Sequence, residues 1–385
     1  MLAAAGMHLH AEALTFPHIS KRPAAADNSC FQSRLTTESF LFDEEKADGF
    51  QMDFRSCDLG SYDLEKSTQM LYASFNSRTV FPKLLPQGFD PSRIMDLGKN
   101  PGLGIRKLHA RGITGKGVGV AILDQALLTE HVEYADRLRF YEEINWRDWP
   151  ADMHGPAVAS IALGKTVGVA PGADLYFIAM MNGEEKGGKF EMDLGYVAQG
   201  LDRIVEVNKK LPRAGKIRVV SISLGMVKEW KNYDAVTRAI ERAEQNGILV
   251  LTVGNTRFRF DGMERPPLAD PEQAGSYAGG IMFVRNAAGA PADFLQVPMD
   301  SRTLADPSGP KDYYFSRIGG QSWIVPWVAG LYALACQAKP AITPEQFWKA
   351  ALETAGPIDF IRDGKKYTLA KVVNPVHLIN KLRAK

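Results

Sequence analysis

This 385-residue chain has neither a marked excess of one sign of charge nor a long apolar run. Its 46 Lys and Arg nearly balance its 44 Asp and Glu, so the net charge of +2 creates no strong field for nucleic acid or an anionic membrane. No uninterrupted apolar run is long enough to span a bilayer. We therefore expect neither nucleic acid nor a membrane as a partner. The oligomeric state is left open.

Cysteines and the features of a secretory signal are also scarce. A signal peptide has a positive start and an apolar stretch of about 7–15 residues. Here no Lys or Arg precedes Lys21, and His8, His10 and Glu12 interrupt the apolar stretch. The chain has three widely spaced cysteines, Cys30, Cys57 and Cys336. This spacing predicts neither a disulfide framework nor a metal site, and together these features predict a cytoplasmic protein, with secretion possible only if a leader is missing.

Three segments of different character precede residue 99. Residues 1–38 lack periodicity and predict a loose segment. Residues 40–65 hold eight acidic and two basic residues and predict a solvated face rather than an interaction tail. Residues 66–98 contain three prolines and resemble a connecting arm. We expect an amino-terminal extension over residues 1–98, either propeptide-like or a packing arm, and a main domain over residues 99–385.

Four apolar runs of strand length predict the fold of the main domain. They span residues 119–123, 175–179, 217–224 and 247–253. Between the last two, Val236, Ile240 and Ala243 recur at helical spacing, and Asn246-Gly247 is typical of a helix end. Continuous apolar strands separated by helices indicate a three-layer α/β fold with a central, mostly parallel sheet and helices on both faces.

Polar or small residues follow several of these strands. In an open parallel sheet, functional sites form where the strands end at their carboxyl side. The first strand runs directly into Asp124, the third into Ser223-Leu224-Gly225, and the fourth ends at Val253 and continues as Gly254-Asn255. These are candidate site residues because the loops leave a buried sheet at these points.

Two helix starts add a histidine and a serine to the candidates. His154 opens a helix of small residues, in which Pro156 suits the first turn. A glycine turn delivers Ser322 to the start of a long helix that is apolar all round and must therefore be buried. A serine at a helix amino terminus lies near free backbone N–H groups and the positive end of the helix dipole. This position favours a nucleophile whose attack creates an oxyanion.

These segments, taken in order, resemble the subtilisin-like serine peptidases (the subtilase family). The motifs are GKGVGVAILDQ, HGPAVASIALG with GVAPGADLY, VVSISLG, ILVLTVGNT and GQSWIVPWVAG. Each motif alone is common, but five in this order, each after the expected strand or opening the expected helix, are specific. The resemblance covers about residues 99–350.

The resemblance implies a serine endopeptidase that acts on a peptide or protein through an acyl-enzyme intermediate, with no cofactor. Asp124, His154 and Ser322 would form the catalytic triad, and Asn255 would contribute to the oxyanion hole. Ser223, Leu224 and Gly225 would pair with the substrate as an added strand, with Val253 and Gly254 on the opposite wall. The corresponding domain is the catalytic domain over residues 99–385.

Several neighbours of the implied triad differ from the usual family motifs. Gln125-Ala126 follows the aspartate, Pro156-Ala157 follows His-Gly, and Gln321 and Trp323-Ile324 flank the serine. These changes keep open a pseudopeptidase that binds a peptide or protein without cutting it. An esterase or amidase using the same triad is a further alternative. The short segment from Leu163 to Val167 predicts no calcium site at this point, and we expect no metal.

Overall fold

The computed structural model describes residues 14–26, 35–43, 46, 50–280 and 293–384. Its centre is a six-stranded sheet in which all neighbouring strands run parallel. In spatial order the strands of this central sheet are β1 (His18–Ile19), β4 (Leu138–Ile144), β5 (Asp174–Met180), β3 (Gly119–Asp124), β8 (Ile217–Gly225) and β9 (Leu249–Val253).

Helices cover both faces of the central sheet. One face packs against α3 (His154–Leu163) and α6 (Gln321–Ala338), and the other against α4 (Gly195–Lys210) and α5 (Tyr233–Gln245). Side chains of β3 alternate between the two cores, because successive residues of a strand point to opposite faces. Val120 and Ile122 belong to the first core, whereas Ala121 and Leu123 belong to the second. The predicted three-layer α/β class is confirmed.

Shorter elements surround the three layers. A second sheet contains, in spatial order, β11 (Ala278–Gly279), β10 (Phe260–Glu264), β12 (Leu295–Pro298), β16 (Lys365–Val372) and β15 (Gly356–Arg362). A third contains β13 (Arg302–Ala305), β14 (Tyr313–Ser316) and β2 (Phe75–Asn76), and a hairpin contains β6 (Gly183–Lys186) and β7 (Lys189–Met192). The remaining α-helices described are α1 (Pro91–Gly98), α2 (Ile105–Ala110), α7 (Pro344–Thr354) and α8 (Pro375–Arg383). Single 3₁₀ turns span Thr37–Phe40, Met70–Tyr72, Ala135–Arg137 and Ala274–Ser276.

All four predicted strands occur in the central sheet, with ends that shift by a residue or two. The fourth begins at Leu249 because Gly247, with φ of 76°, still belongs to the turn after α5. The sequence missed β4, whose segment Leu-Arg-Phe-Tyr-Glu-Glu-Ile forms no continuous apolar run. On the side away from β5, β4 is covered only by the two-residue edge strand β1, so several of its side chains stay partly exposed.

The amino-terminal extension packs on the main domain through a core of its own. Aromatic side chains dominate this core, and the ring of Phe75 contacts Phe315 of β14 with 5.4 Å between centroids. Backbone pairing joins β2 to β14 and β1 to β4. A hydrogen bond adds to this pairing: the side-chain amide of Asn76 donates to the carboxylate of Asp306 at 3.1 Å. The extension is thus continuous with two sheets of the main domain.

Two expectations for the extension do not match the structure. In the described part of residues 1–38, β1 forms an edge strand where we expected irregular chain. In the acidic segment, Asp63 is exposed as expected, but the side chains of Asp53 and Arg55 are only 6% and 5% exposed. They form an ion pair with 2.6 Å between Arg55 Nη2 and Asp53 Oδ2. A nearby cation allows a carboxylate to be buried in a segment whose composition predicts solvent exposure.

The cysteines also correct the sequence interpretation. Cys57 is disulfide-bonded, although the spacing of the cysteines predicts no disulfide framework. Cys336 is free and buried in α6. Because disulfides persist mainly in oxidising compartments, the cysteines do not support the cytoplasmic prediction. Within the described ranges, no helix is both long and apolar enough to cross a membrane.

Candidate active site

Asp124 is the last residue of β3 and stands at the carboxyl end of the central sheet. Its side chain is 6% exposed, and its Oδ1 atom lies 2.7 Å from Nδ1 of His154. The same oxygen accepts a hydrogen bond from the backbone N–H of Gln125 at 2.8 Å. The carboxylate is thus held in place by its own loop, and it fixes one edge of the imidazole ring.

Glycine at position 155 allows the histidine helix to approach this loop. A Cβ atom on Gly155 would lie 2.2 Å from the carbonyl oxygen of Gln125, which is far inside van der Waals contact. The backbone N–H of Asp152 donates to Ala126 at 3.0 Å in the same contact. The His-Gly pair therefore has a local cause: only glycine lets α3 begin close enough for His154 to reach Asp124.

Ser322 is the second residue of α6. This helix begins directly after Gly320, whose backbone is extended. Backbone N–H groups in the first turn of a helix have no acceptor within the helix, so the Ser322 N–H is available to a ligand. Its carbonyl would normally accept from residue 326, but Pro326 has no N–H. Ser223 Oγ donates to that carbonyl instead, at 2.9 Å. This bond ties the end of β8 to the start of α6.

His154 and Ser322 line one cavity of about 380 Å³, which we call the main cavity. Residues 318–323 form one wall, and Phe50, Asp53, Arg55 and Ser74 of the extension contribute another. The Ser322 hydroxyl donates to the carbonyl of Ser223 at 3.4 Å, and no hydrogen bond joins it to His154 among the described contacts. A serine hydroxyl reorients by rotation about χ1, and catalytic hydrogen bonds commonly tighten only when substrate binds.

The environment of His154 shifts its affinity for protons. Burial by itself would lower the pKa of the imidazole, but the charge and hydrogen bond of Asp124 outweigh burial. The pKa of His154 is therefore raised above its ordinary 6.5, with a smaller contribution from Asp152. The ring of Trp323 lies against the imidazole, with 5.2 Å between centroids and 35° between planes. The indole N–H donates to Ser316 Oγ at 3.2 Å, which fixes the ring.

Asn255 lies in a second cavity of about 280 Å³, beside the start of α6. Val253, Gly254, Gln321 and Ile324 line the same cavity. The side-chain oxygen of Asn255 accepts from the backbone N–H groups of residues 257 and 258, both at 2.9 Å. Its side-chain nitrogen donates to the carbonyl of residue 250 at 3.4 Å. The structure thus places Asn255 near the serine helix but engages its amide with its own turn.

The carboxyl end of β8 extends beyond its pairing with the neighbouring strands, and a substrate strand could pair there. β3 pairs with β8 only as far as Ser221, so Ser223, Leu224 and Gly225 extend beyond it. On the other side the register with β9 breaks between Ile222 and Gly225. A Cβ atom at Gly225 would meet Val253 at an ordinary 3.8 Å. The unpaired edge can accept an extended peptide, although these three residues are not among the described residues that line either cavity.

Sequence reasoning missed several residues that line the main cavity. Trp323 is buried in the core like Trp327, but it also lines the cavity and contacts His154. The position of Trp323 directly after the candidate serine was the available signal. Asp261 of β10 also lines the cavity, and no motif pointed to it. Nothing local marked Asp53 or Arg55 either, because the extension carries no recognisable motif.

Comparisons with known proteins show which family the chain resembles. A model of the subtilase family of peptidases matches residues 115–374, which is more than half of the chain. The subtilisin-like protease PopC of Myxococcus xanthus is 26% identical over 274 residues, 62% of this chain and 56% of that protein. The major intracellular serine protease of Bacillus subtilis is 25% identical over 189 residues, 45% of this chain and 54% of that protein. The chain thus spans about half the length of these two relatives.

A solved structure, that of the prenylagaramide maturation protease PagA, has a TM-score of 0.49 and 17% identity. The match covers 73% of this chain and 99% of the PagA chain. Because its TM-score is below 0.5, it carries no weight for the assignment. The central sheet is parallel, the aspartate–histidine pair stands at its carboxyl end, and Ser322 opens a helix beside the same cavity. With the match over residues 115–374, the chain belongs to the subtilase family.

Proposed function

We propose that this protein is a serine endopeptidase that hydrolyses peptide bonds through an acyl-enzyme intermediate. The observation that carries the proposal is the 2.7 Å hydrogen bond between Asp124 and His154, in the cavity that Ser322 also lines. The bond holds the proton of neutral His154 on Nδ1 and leaves Nε2 as the base. A base fixed in this way beside a serine at a helix amino terminus supports nucleophilic catalysis.

The reaction would proceed in two halves. His154 Nε2 takes the hydroxyl proton as Ser322 Oγ attacks the carbonyl carbon, and Asp124 stabilises the imidazolium that forms. Collapse of the tetrahedral intermediate breaks the C–N bond, and the same proton passes from His154 to the leaving amine. Water then attacks the acyl group with His154 again as base, which releases the acid and restores the Ser322 hydroxyl.

The oxyanion would be bound by the backbone N–H of Ser322 and the side-chain amide of Asn255. The first donor already stands in the opening turn of α6. The second requires the Asn255 side-chain nitrogen to exchange its 3.4 Å contact with the carbonyl of residue 250 for the substrate oxygen. That contact is long for an N–H···O bond, so the exchange costs little.

A peptide or protein is the proposed substrate, bound as an added strand along Ser223-Leu224-Gly225. The main-chain groups of this segment extend beyond β3 and are available on that edge. Val253 and Gly254 would form the opposite wall, next to Asn255 in the second cavity. The net charge of +2 gives no reason to include nucleic acid or membranes in the proposal.

We also propose that the amino-terminal extension is a permanent part of the enzyme, not a removable propeptide. Its own core, its strand pairing with β14 and its contribution to the main cavity support this. Removal would strip a wall from the cavity and expose Phe315 of β14. Intact-mass measurement of active protein should give the full chain. An active species that begins near residue 99 and is absent from Ser322→Ala would show self-processing and contradict the proposal.

A fluorophosphonate probe and a protein substrate together test the proposed activity. Wild type should react with the probe and release peptides from a labelled casein, and Ser322→Ala should do neither. Ser61→Ala, which changes an exposed serine of the extension, is the matched control and should behave as wild type.

Three outcomes would contradict the proposed endopeptidase. Folded wild type that neither reacts nor cleaves would point to a binding protein. Probe labelling with cleavage of small esters but no peptides would point to an esterase. Retention of peptidase activity in Ser322→Ala would place the nucleophile elsewhere.

A further inference from the structure

The two cavities beside Ser322 correspond to the two halves of a substrate. Asn255, a proposed oxyanion ligand, lines the second cavity, on the acyl side of the scissile bond. His154, which would protonate the leaving amine, lines the main cavity. A general acid must lie within hydrogen-bond reach of the atom it protonates, so the leaving-group half of a substrate enters the main cavity. This placement rests on the proposed function.

Charge in the main cavity is unbalanced. Among the described residues that line it, the side chains that commonly carry charge are Asp53, Arg55, His154 and Asp261. Asp53 and Arg55 neutralise each other, because Arg55 Nε and Nη2 both donate to the Asp53 carboxylate. Among the described residues, Asp261 has no ion-pair partner and accepts one hydrogen bond, from the backbone N–H of Gly262 at 2.8 Å. With neutral His154, the described lining residues together carry one negative charge, that of Asp261.

The walls around this charge suit a long aliphatic chain. Met153, Met299 and Trp323 line the cavity and present apolar surface. Lysine and arginine place a methylene stem along such surface and a cation at its end. A volume of about 380 Å³ accommodates one such side chain with part of its backbone. Apolar walls and a single carboxylate therefore favour a basic side chain over an acidic or a purely apolar one.

We propose that Asp261 is a specificity-determining residue that selects lysine or arginine within the first two residues after the scissile bond. The cation of the substrate pairs with the Asp261 carboxylate while its stem lies between the methionine and tryptophan side chains. Charge-assisted pairing of this kind favours the matching side chain over a neutral one of the same length.

The proton affinity of Asp261 agrees with this role. Burial raises the pKa of its carboxyl above the ordinary 3.8, and the hydrogen bond from Gly262 only partly offsets burial. A buried carboxylate without a cation gains from any positive group that enters the cavity. The substrate would supply a cation that no described neighbour of Asp261 provides.

Matched peptides test the inference by cleavage and by binding. Each shares one acyl half and carries lysine, norleucine or glutamate at the first or the second leaving-group position. We expect kcat/KM to be about tenfold higher for lysine than for norleucine at one of these positions, and lowest for glutamate. The full-length Ser322→Ala variant should bind the same uncleaved peptides in the same order.

Charge variants assign the preference to this carboxylate. Asp261→Asn should bring the ratio of lysine to norleucine close to one, and Asp261→Lys should favour glutamate. Asp270→Asn, the same substitution at an exposed position, should leave the ratio unchanged. Thermal unfolding identifies any variant that fails to fold, and the wild-type preference stands as a separate readout.

The inference and the proposed function fail in different ways. Cleavage by wild type with no preference for lysine, or a preference that persists in Asp261→Asn, overturns the inference and leaves the peptidase intact. Absence of probe labelling and of cleavage overturns the peptidase. Binding by Ser322→Ala then still decides whether Asp261 selects basic peptides.

Discussion

Replacement of Asp124 by asparagine tests the electrostatic core of the site. The substitution keeps the size of the side chain but removes the charge that lies 2.7 Å from the histidine ring. A hydrogen bond to a charged group contributes about 1.5–3 kcal/mol, and one pKa unit corresponds to about 1.36 kcal/mol. The side chains are only 6% and 23% exposed, so solvent screens the pair weakly. The pair should therefore contribute within this range, and the pKa of His154 should fall when the charge of Asp124 is removed.

The direction of this shift follows from the two opposing effects on the imidazole. Burial lowers the pKa of His154 and Asp124 raises it; without the charge of Asp124, burial prevails and the pKa drops below 6.5. In wild type, kcat/KM should rise with pH through a pKa above 6.5, because the base must be neutral. Turnover of Asp124→Asn should fall about 10⁴-fold, since asparagine favours the wrong tautomer.

Histidine NMR in the Ser322→Ala background measures the pKa without interference from turnover. Asp152→Asn is the matched control, because Asp152 also raises the pKa of His154 but contributes less than Asp124. Its shift should therefore be the smaller of the two. An unchanged or raised pKa in Asp124→Asn, or equal shifts in both variants, would refute the reasoning.

Three further substitutions test other parts of the structure. Asn255→Asp keeps the oxygen that accepts from the turn but removes the amide donor, so peptide turnover should fall about 10²–10³-fold, the range known for a subtilisin donor, with Tm nearly unchanged. Glu133→Ala removes a buried acceptor that binds the hydroxyls of Thr166 and Tyr313, so the free energy of unfolding in urea should drop by about 3 kcal/mol or more. Phe75→Ala opens a cavity in the core of the extension and should cost about 3–5 kcal/mol in the same assay.

Each of these predictions has an outcome that contradicts it. Full activity in Asn255→Asp would assign the residue to its turn alone. A loss below about 1 kcal/mol in Glu133→Ala would show that water replaces the buried acceptor. A wild-type unfolding curve for Phe75→Ala would show that the extension does not unfold together with the main domain.

Local sequence signals were enough for four of the six strands of the central sheet and for naming the three triad candidates. Buried parallel strands such as β3 and β8 are continuous apolar runs, which stand out from the rest of the chain. Asp124 follows a strand, and His154 and Ser322 open helices of unusual composition. Topology then brings such positions to one edge of the sheet, so order along the chain predicted their proximity.

Features that depend on distant contacts could not be predicted in this way. The burial of Asp53 depends on Arg55 and on the extension folding back over the domain. The orientation of the Asn255 amide is set by hydrogen bonds within a turn of irregular sequence. Asp261 enters the cavity from the second sheet, whose short strands β10 and β12 show no pattern long enough to detect. Each depends on residues that are far apart or lack a period.

The site of covalent labelling tests the central claim most directly. Wild type treated with a fluorophosphonate should gain one adduct, and peptide mapping by mass spectrometry should place it on Ser322, with loss of labelling in His154→Ala. An adduct on another residue, or undiminished labelling without the imidazole, would contradict a nucleophile activated by the Asp124–His154 pair.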